Sequence, residues 1–288
     1  HPFPTRRSSD LARMLDNNNS GIYMKVRLFF ILFGITFSMA QEFHLDEKKF
    51  FADLQDSYYS MSETELENFT CLVTNSTMED FAEEHWNNKE IFPLQFIWIE
   101  PDRVFLSQQG VPSLADTLQR EFEQNFADLK QQVKAILLDL QRFYINGIYA
   151  SISQDYILVK KKQVLDIIFE VAQDTLNTQF KYTFGMNGLC LKIETAYPSI
   201  NRIILTYPKF RVVKTKWLCT GWEVQIVDNG EVSSGFAVTL DNQFIDPVWV
   251  PTKIDLQVQK KEEAGVTYSD VLKFRNYLFN QSLQLIDE

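Results

Sequence analysis

The stretch "WEVQIVDNGEVSSGFAVTL", Trp222 to Leu240, decides the fold. Trp222, Val224 and Ile226 alternate with polar residues before it turns, and Phe236, Val238 and Leu240 do so after. Asn229-Gly230 sits between the two runs, and both residue types tolerate the positive φ of a tight hairpin turn. Two antiparallel strands are therefore expected here. The same texture continues on both sides: "DYILVK", "VLDIIFEV", "TQFKYTF", "LCLKIET", "NRIILTY" and "FRVVKTKWLCT" come before, "QFIDPVWV" and "KIDLQVQK" after. Turn signals at Gly185, Asn187-Gly188, Pro198, Pro208, Gly221 and Pro251 divide them. Roughly ten strands at this spacing predict an antiparallel meander, a barrel or a strongly curved sheet. No helical crossover interrupts them, which excludes a parallel α/β sheet. "YSDVLKFRNYLFNQSL" closes the chain as a strand or a final helix.

Helices are expected upstream. In residues 113–142 the apolar positions Leu114, Leu118, Phe122, Phe126, Leu129, Val133, Ile136 and Leu140 recur at steps of three or four, one continuous stripe. Ser113 is placed to cap it, with Asp116 three residues on. Such a helix is roughly 45 Å long. Residues 46–68 form a second helix by the spacing of Phe50, Leu54, Tyr58 and Met61. "FTCLVTNST" reads as a strand, "MEDFAEEHWNN" as a loop or short helix, and Leu94–Glu100 and Arg103–Leu106 as two strands joined at Pro101-Asp102. The fold class is α+β: a strongly curved antiparallel sheet, an unclosed β-barrel of roughly ten strands, whose concave face is covered by an N-terminal helix and a long inserted helix.

The N-terminus carries an export signal. Lys25 and Arg27 precede ten mostly apolar residues, Leu28–Phe37, and then Ser38-Met39-Ala40. This is the order of a secretory signal peptide, 24–40, cleaved after Ala40. The run is shorter than the roughly 20 residues a membrane span needs. Residues 1–23, with "FPTRRSSDL", read as a non-native translated extension resembling sequencing-adapter read-through. A single domain, 41–288, follows. The expected location is periplasmic or secreted.

The leader holds five Lys/Arg and two Asp/Glu of the chain's 28 and 38, so residues 41–288 carry 23 and 36, a net charge of −13. An acidic surface repels phosphate backbones, which argues against nucleic acid as a partner. Three cysteines remain, Cys71, Cys190 and Cys219. In an oxidising compartment Cys190 and Cys219, both in strand-like segments, are the better pair for a disulfide; three buried free thiols are the equal alternative. Asn68, Asn75 and Asn280 begin Asn-x-Ser/Thr triplets, relevant in a glycosylating host.

Catalytic patterns are missing from the sequence. Only His44 and His85 follow the leader, and "EEHW" is not a two-His zinc helix. No nucleophile elbow or glycine-rich phosphate loop occurs. Asp155 and Asp166 lie in strand segments, where solvated faces explain them. The expectation is no enzyme, no metal and no cofactor.

Aromatic placement is the positive signal, with 24 Phe, 11 Tyr and 5 Trp in the chain. Phe96 and Trp98 share one strand face, as do Phe180, Tyr182 and Phe184; Phe169, Phe236 and Trp249 add to them, and Phe122 and Phe126 belong to the helical stripe. These ten are the candidate ligand-binding residues. Either the rings are simple core, or they line a lipid-sized cavity under a sheet too large for its helices.

Together, a leader, an amphipathic helix ending in "NFTCLVT", a long helical insertion, and the closing motifs "VWVPTKIDLQV" (Val248–Val258) and "FRNYLFN" (Phe274–Asn280) resemble the LolA/LolB/LppX-like periplasmic lipoprotein-sorting family. The resemblance spans Phe43 to about Leu285 and rests on aromatic and strand patterns. It implies an unclosed barrel of about eleven strands with helices plugging its mouth. It also implies a monomeric carrier of lipid or acylated protein, possible docking to envelope membrane proteins, and residues 113–142 as plug or lid. The alternative is a non-catalytic envelope scaffold of the same fold without a cavity.

Overall fold

The computed structural model describes residues 46–171, 177–260 and 268–282. The extension at 1–23, the signal peptide at 24–40 and its cleavage after Ala40 lie outside the described residues.

The chain is α+β, with a large, unclosed antiparallel sheet of twelve strands in the order β3-β2-β1-β12-β11-β10-β9-β8-β7-β6-β5-β4. The strands are β1 Asn68–Asn75, β2 Leu94–Ile99, β3 Arg103–Gln108, β4 Ile157–Lys160, β5 Val164–Glu170, β6 Gln179–Gly185, β7 Cys190–Tyr197, β8 Arg202–Val213, β9 Lys216–Asp228, β10 Glu231–Ile245, β11 Val248–Lys260 and β12 Tyr268–Phe279. Neighbours are consecutive in the chain except at β1–β12, where the first and last strands pair. The final segment is thus a strand. The hairpin that opened the reading is present: Asp228 pairs with Glu231, and Asn229 and Gly230 both have positive φ, 54° and 84°.

The count is twelve because β1–β3 and β12 join the same sheet, while segments that read as separate merge, since Pro208, Gly221 and Pro251 end no strand. Each lies inside a long one, close to a register shift: Lys209/Phe210 in β8 and Asp241/Asn242 opposite Pro251. A bulge absorbs an unfavourable residue and lets the strand continue. Two fissures result. β9–β10 pairing stops at Gly221–Thr239, and β11–β12 pairing stops at Lys253–Lys273, so the strand ends beyond separate. Gly221 marks the first. Its φ is 146°, and a β-carbon there would sit 2.1 Å from the Val238 carbonyl oxygen.

Among the described residues three α-helices pack with the sheet: α1 Glu47–Ser57, α2 Ser76–Trp86 and α3 Asp116–Leu140. The first is shorter than expected. It stops at Ser57 because Tyr58 turns extended and bridges in parallel to Trp217, with the Tyr59 N–H donating to the Trp217 carbonyl at 3.0 Å. Tertiary pairing overrides the helical spacing. The acidic segment after β1 is a full helix. The Asn75 side chain accepts from the Met78 N–H at 2.8 Å, and Asn87 closes it at φ 49°. The expected cap of the long helix, Ser113, is not used; the helix starts after Ala115, with Asp116 in its first turn facing the positive end of the helix dipole. Its C-terminal end does not stop at residue 142 but widens into a π-helical turn, Gln141–Ile145.

Cys71, Cys190 and Cys219 are free and buried, so the Cys190–Cys219 bridge is not formed. β8 lies between the strands that carry them. Burial pushes all three thiols up, Cys219 to about 12, where they stay protonated.

Candidate functional site

The ten candidate residues fall into three ring clusters and two outliers. Phe96 and Trp98 stack with Phe69 of β1, centroids 5.6 Å apart in each pair. Phe169, Phe180, Tyr182 and Phe184 form a ladder across β5 and β6, at 5.2, 5.5 and 6.3 Å. Phe122 and Phe126 stack at 6.0 Å on α3, and Phe122 meets Phe81 and Trp86 of α2. Phe236 joins none of these stacks. Trp249 instead packs on Phe244 at 5.7 Å and under the Arg211 guanidinium at 5.3 Å. Phe96, Trp98, Phe122, Tyr182 and Phe184 are fully buried; Phe126, Phe180, Phe236 and Trp249 are half-buried.

The π-helical turn at the C-terminal end of α3, which the sequence reading did not single out, reaches two of these clusters, the β5–β6 ladder and the wall of Phe69 and Phe96, while the Phe122 cluster lies near the other end of α3. Gln141 donates to the Asp102 carbonyl in the β2–β3 turn at 3.0 Å. Next to it, the Arg142 guanidinium lies 5.8 Å from the Tyr182 ring and 6.0 Å from Phe180. Phe143 touches Trp222 of β9 and Phe210 of β8. Tyr144 meets Tyr59, and the Ile145 carbonyl accepts from the Ser60 hydroxyl at 2.9 Å. A π turn rotates successive side chains away from the helical stripe, so five adjacent residues reach the β2–β3 turn, β6, β8–β9 and the Tyr59–Ser60 segment.

Arg142 is buried with one charged partner. Its Nη1 donates to Asp139 Oδ1 at 3.0 Å, one turn back on α3, and its Nε has no hydrogen-bond partner. Burial pushes the Asp139 carboxyl up, and the Arg142 charge pulls against that. The i, i+3 spacing of Asp139 and Arg142 was the available signal; amid Leu138, Leu140 and Phe143 it marks an ion pair inside the apolar face.

A polar latch ties α3 to the sheet. Gln132 donates to the Tyr268 hydroxyl at 2.6 Å and to Asp270 Oδ2 at 2.9 Å, and its carbonyl accepts from Asn75 at 3.0 Å. Asp270 also accepts from the Ser76 N–H at 3.1 Å and the Tyr268 hydroxyl at 2.7 Å. This buried carboxylate is fully engaged.

The interior beside the Phe69–Phe96 stack is nearly filled. A void of about 10 Å³ lies among Phe69, Phe96, Leu140, Tyr144, Phe274 and Tyr277, about the room of one water. The larger spaces open to solvent: a groove of about 410 Å³ over β10, β11 and β12, and one of about 520 Å³ over β9, β10 and β11. Among the described residues no group of three His, Cys, Asp or Glu side chains is placed to hold a metal, and no helix is long and apolar enough to cross a membrane. Set against protein-family models, curated proteins and solved structures, the chain matches none of them.

Proposed function

We propose that this chain is an exported, non-catalytic carrier that binds a lipid or a lipoprotein acyl chain inside a half-barrel plugged by α3 and its π turn. The observation that carries the reading is the reach of Gln141 and Arg142. These adjacent residues touch the β2–β3 turn and β6, which lie eight strand steps apart from β2 to β6. Laid flat, eight steps span roughly 38 Å. Two neighbouring side chains meet both places if the sheet wraps around them, as in an unclosed barrel with α1 and α3 on the concave side. The wall facing the plug is then mostly rings, suited to hydrocarbon, where burial yields about 0.8 kcal/mol per CH₂. The plug is held by the latch at Gln132, by Gln141 on the β2–β3 turn and by Ser60 on the Ile145 carbonyl, while the buried Asp139–Arg142 pair is internal to it and moves with α3. In this reading the aromatic clusters separate when α3 moves out, and cargo takes its place. The expected setting is the periplasm or outside the cell, acting as a monomer.

A second reading is favoured by the void of about 10 Å³: the interior is complete as it stands, and the chain is an envelope scaffold whose rings are core. Native mass spectrometry separates the two. The full chain would be expressed in a bacterial host with intact membranes and purified in its exported form. Extra mass that organic solvent extracts as lipid supports the carrier. A clean protein mass together with no uptake of a fluorescent fatty acid selects the scaffold.

A further inference from the structure

The fissure where β11 and β12 part company joins an exterior cationic groove to the interior void. The groove is bordered by Gln243, Thr252, Lys253, Lys273, Arg275 and Tyr277. The void behind it shares Phe274 and Tyr277 with the groove. One bond spans the gap at that point, from the Tyr277 hydroxyl to the Pro251 carbonyl at 2.6 Å. Pro251 has no N–H, so it offers β12 no ladder donor. On the inner side the Tyr144 hydroxyl lines the void, is fully buried, and has no hydrogen-bond partner.

The charges on the outer side are unusual for this chain, whose formal net charge is −10. Lys253 and Lys273 are directly opposed across the two strands, a like-charge pairing that destabilises a sheet unless something neutralises it. Here each cation is drawn to its own carboxylate. Lys253 pairs with Asp255 at 2.9 Å, Lys273 with Glu79 at 2.7 Å, and Arg275 with Glu90. Arg275 also stacks on Phe92, 5.0 Å from its centroid. The three cationic side chains remain 39, 35 and 46% exposed. Ion pairs with cations so exposed are weak and exchange readily for another anion.

Resting on the carrier reading above, we propose that this fissure is the ligand's doorway. It takes an anionic amphiphile, with the carboxylate or phosphate on Lys253, Lys273 and Arg275. The chain passes Tyr277 into the space lined by Phe69, Phe96 and Phe274. Tyr277 is the gate: its hydroxyl leaves the Pro251 carbonyl when a chain enters. The void admits about one water as it stands, so passage needs both this swing and the withdrawal of Leu140 with α3. The anionic head explains why cations gather at this fissure of an acidic protein, whereas the groove over the paired part of β9, β10 and β11 is bordered by Glu223, Gln225, Gln257 and Gln259.

The test is a titration of the full chain with a fluorescent long-chain fatty acid, the matching fatty alcohol, and inorganic phosphate. Three proteins are compared: wild type, the triple variant Lys253→Gln/Lys273→Gln/Arg275→Gln, and Lys253→Gln alone. The last leaves both ion pairs between separate elements in place, so it folds if the wild type does. The expected result is about a tenfold loss of fatty-acid affinity in the triple variant, a smaller loss in Lys253→Gln, and unchanged alcohol binding. A fourth protein, Tyr277→Phe, tests the gate separately and should associate faster with both lipids; unchanged association removes Tyr277 as the gate. Equal fatty-acid binding by all three proteins overturns the doorway while leaving the carrier intact. Phosphate binding as tightly as the fatty acid, with the same losses, overturns the amphiphile and makes the groove a site for free anions. No binding of either lipid by wild type overturns doorway and carrier together.

Discussion

Gly221 shows how much one residue decides. Position 221 needs a φ that side-chain-bearing residues rarely adopt, and a β-carbon there meets a backbone oxygen that cannot step aside. Gly221→Ala is expected to cost about 2–3 kcal/mol or more, read as a fall in the urea midpoint at unchanged slope. Asn75 is a second such residue. It begins an Asn-x-Ser/Thr triplet, yet it is 1% exposed and caps α2. Asn75→Ala should lower stability by about 1 kcal/mol or more, and a glycosylating host should leave Asn75 unmodified. A glycopeptide map showing sugar on Asn75 in folded protein would contradict that placement.

At the scale of elements, α3 and its π turn hold the argument. The buried pair of Asp139 and Arg142 predicts a specific asymmetry. Asp139→Ala leaves a buried guanidinium without its carboxylate and should cost about 3–5 kcal/mol, whereas Asp139→Leu combined with Arg142→Met should come close to wild type. Chemical denaturation of both variants checks this; equal damage would mean the pair is not isolated from solvent. The latch predicts a dynamic effect. Gln132→Leu removes three hydrogen bonds between α3 and the sheet and should speed amide exchange along α3 more than along β7–β9.

For the whole molecule, acid sensitivity follows from two strand carboxylates. Burial pushes Asp166 up, but hydrogen bonds from Lys161 and Thr183 and the charges of Lys161 and Lys181 outweigh it, so its pKa is lowered. For Glu194, burial is likewise outweighed by Lys181 and Lys192. A lowered native pKa contributes stability that is present above the unfolded values, about 3.9 and 4.3. That stability is lost as pH falls through the native values. Asp139, with a raised pKa, runs the other way: its contribution is present at low pH and lost as pH rises through its native value. Thermal midpoints should therefore drop below about pH 4, and Asp166→Asn should drop less steeply. A parallel fall in both proteins would remove Asp166 from the account.

The sequence by itself determined what short-range periodicity encodes. Alternation plus Asn229-Gly230 specified antiparallel strands and the absence of a parallel crossover, and the three-four spacing specified a long helix near residues 113–142. These depend on neighbours within a turn or a hairpin. Tertiary structure decided the rest, because it depends on which distant backbones meet. Pro208, Gly221 and Pro251 read as strand ends, yet bulges carry the strands through them. Tyr58 kept a helical spacing, yet Trp217 drew it into an extended bridge. The aromatic candidates were legible as core rings, but their division into three clusters, two of them meeting Gln141–Ile145, was not. A π turn adds one residue per turn without changing composition, and its partners lie as far off as Asp102 and Trp222. The Lys253–Lys273 opposition was equally invisible, since twenty residues separate them in the chain and only the β11–β12 register sets them face to face.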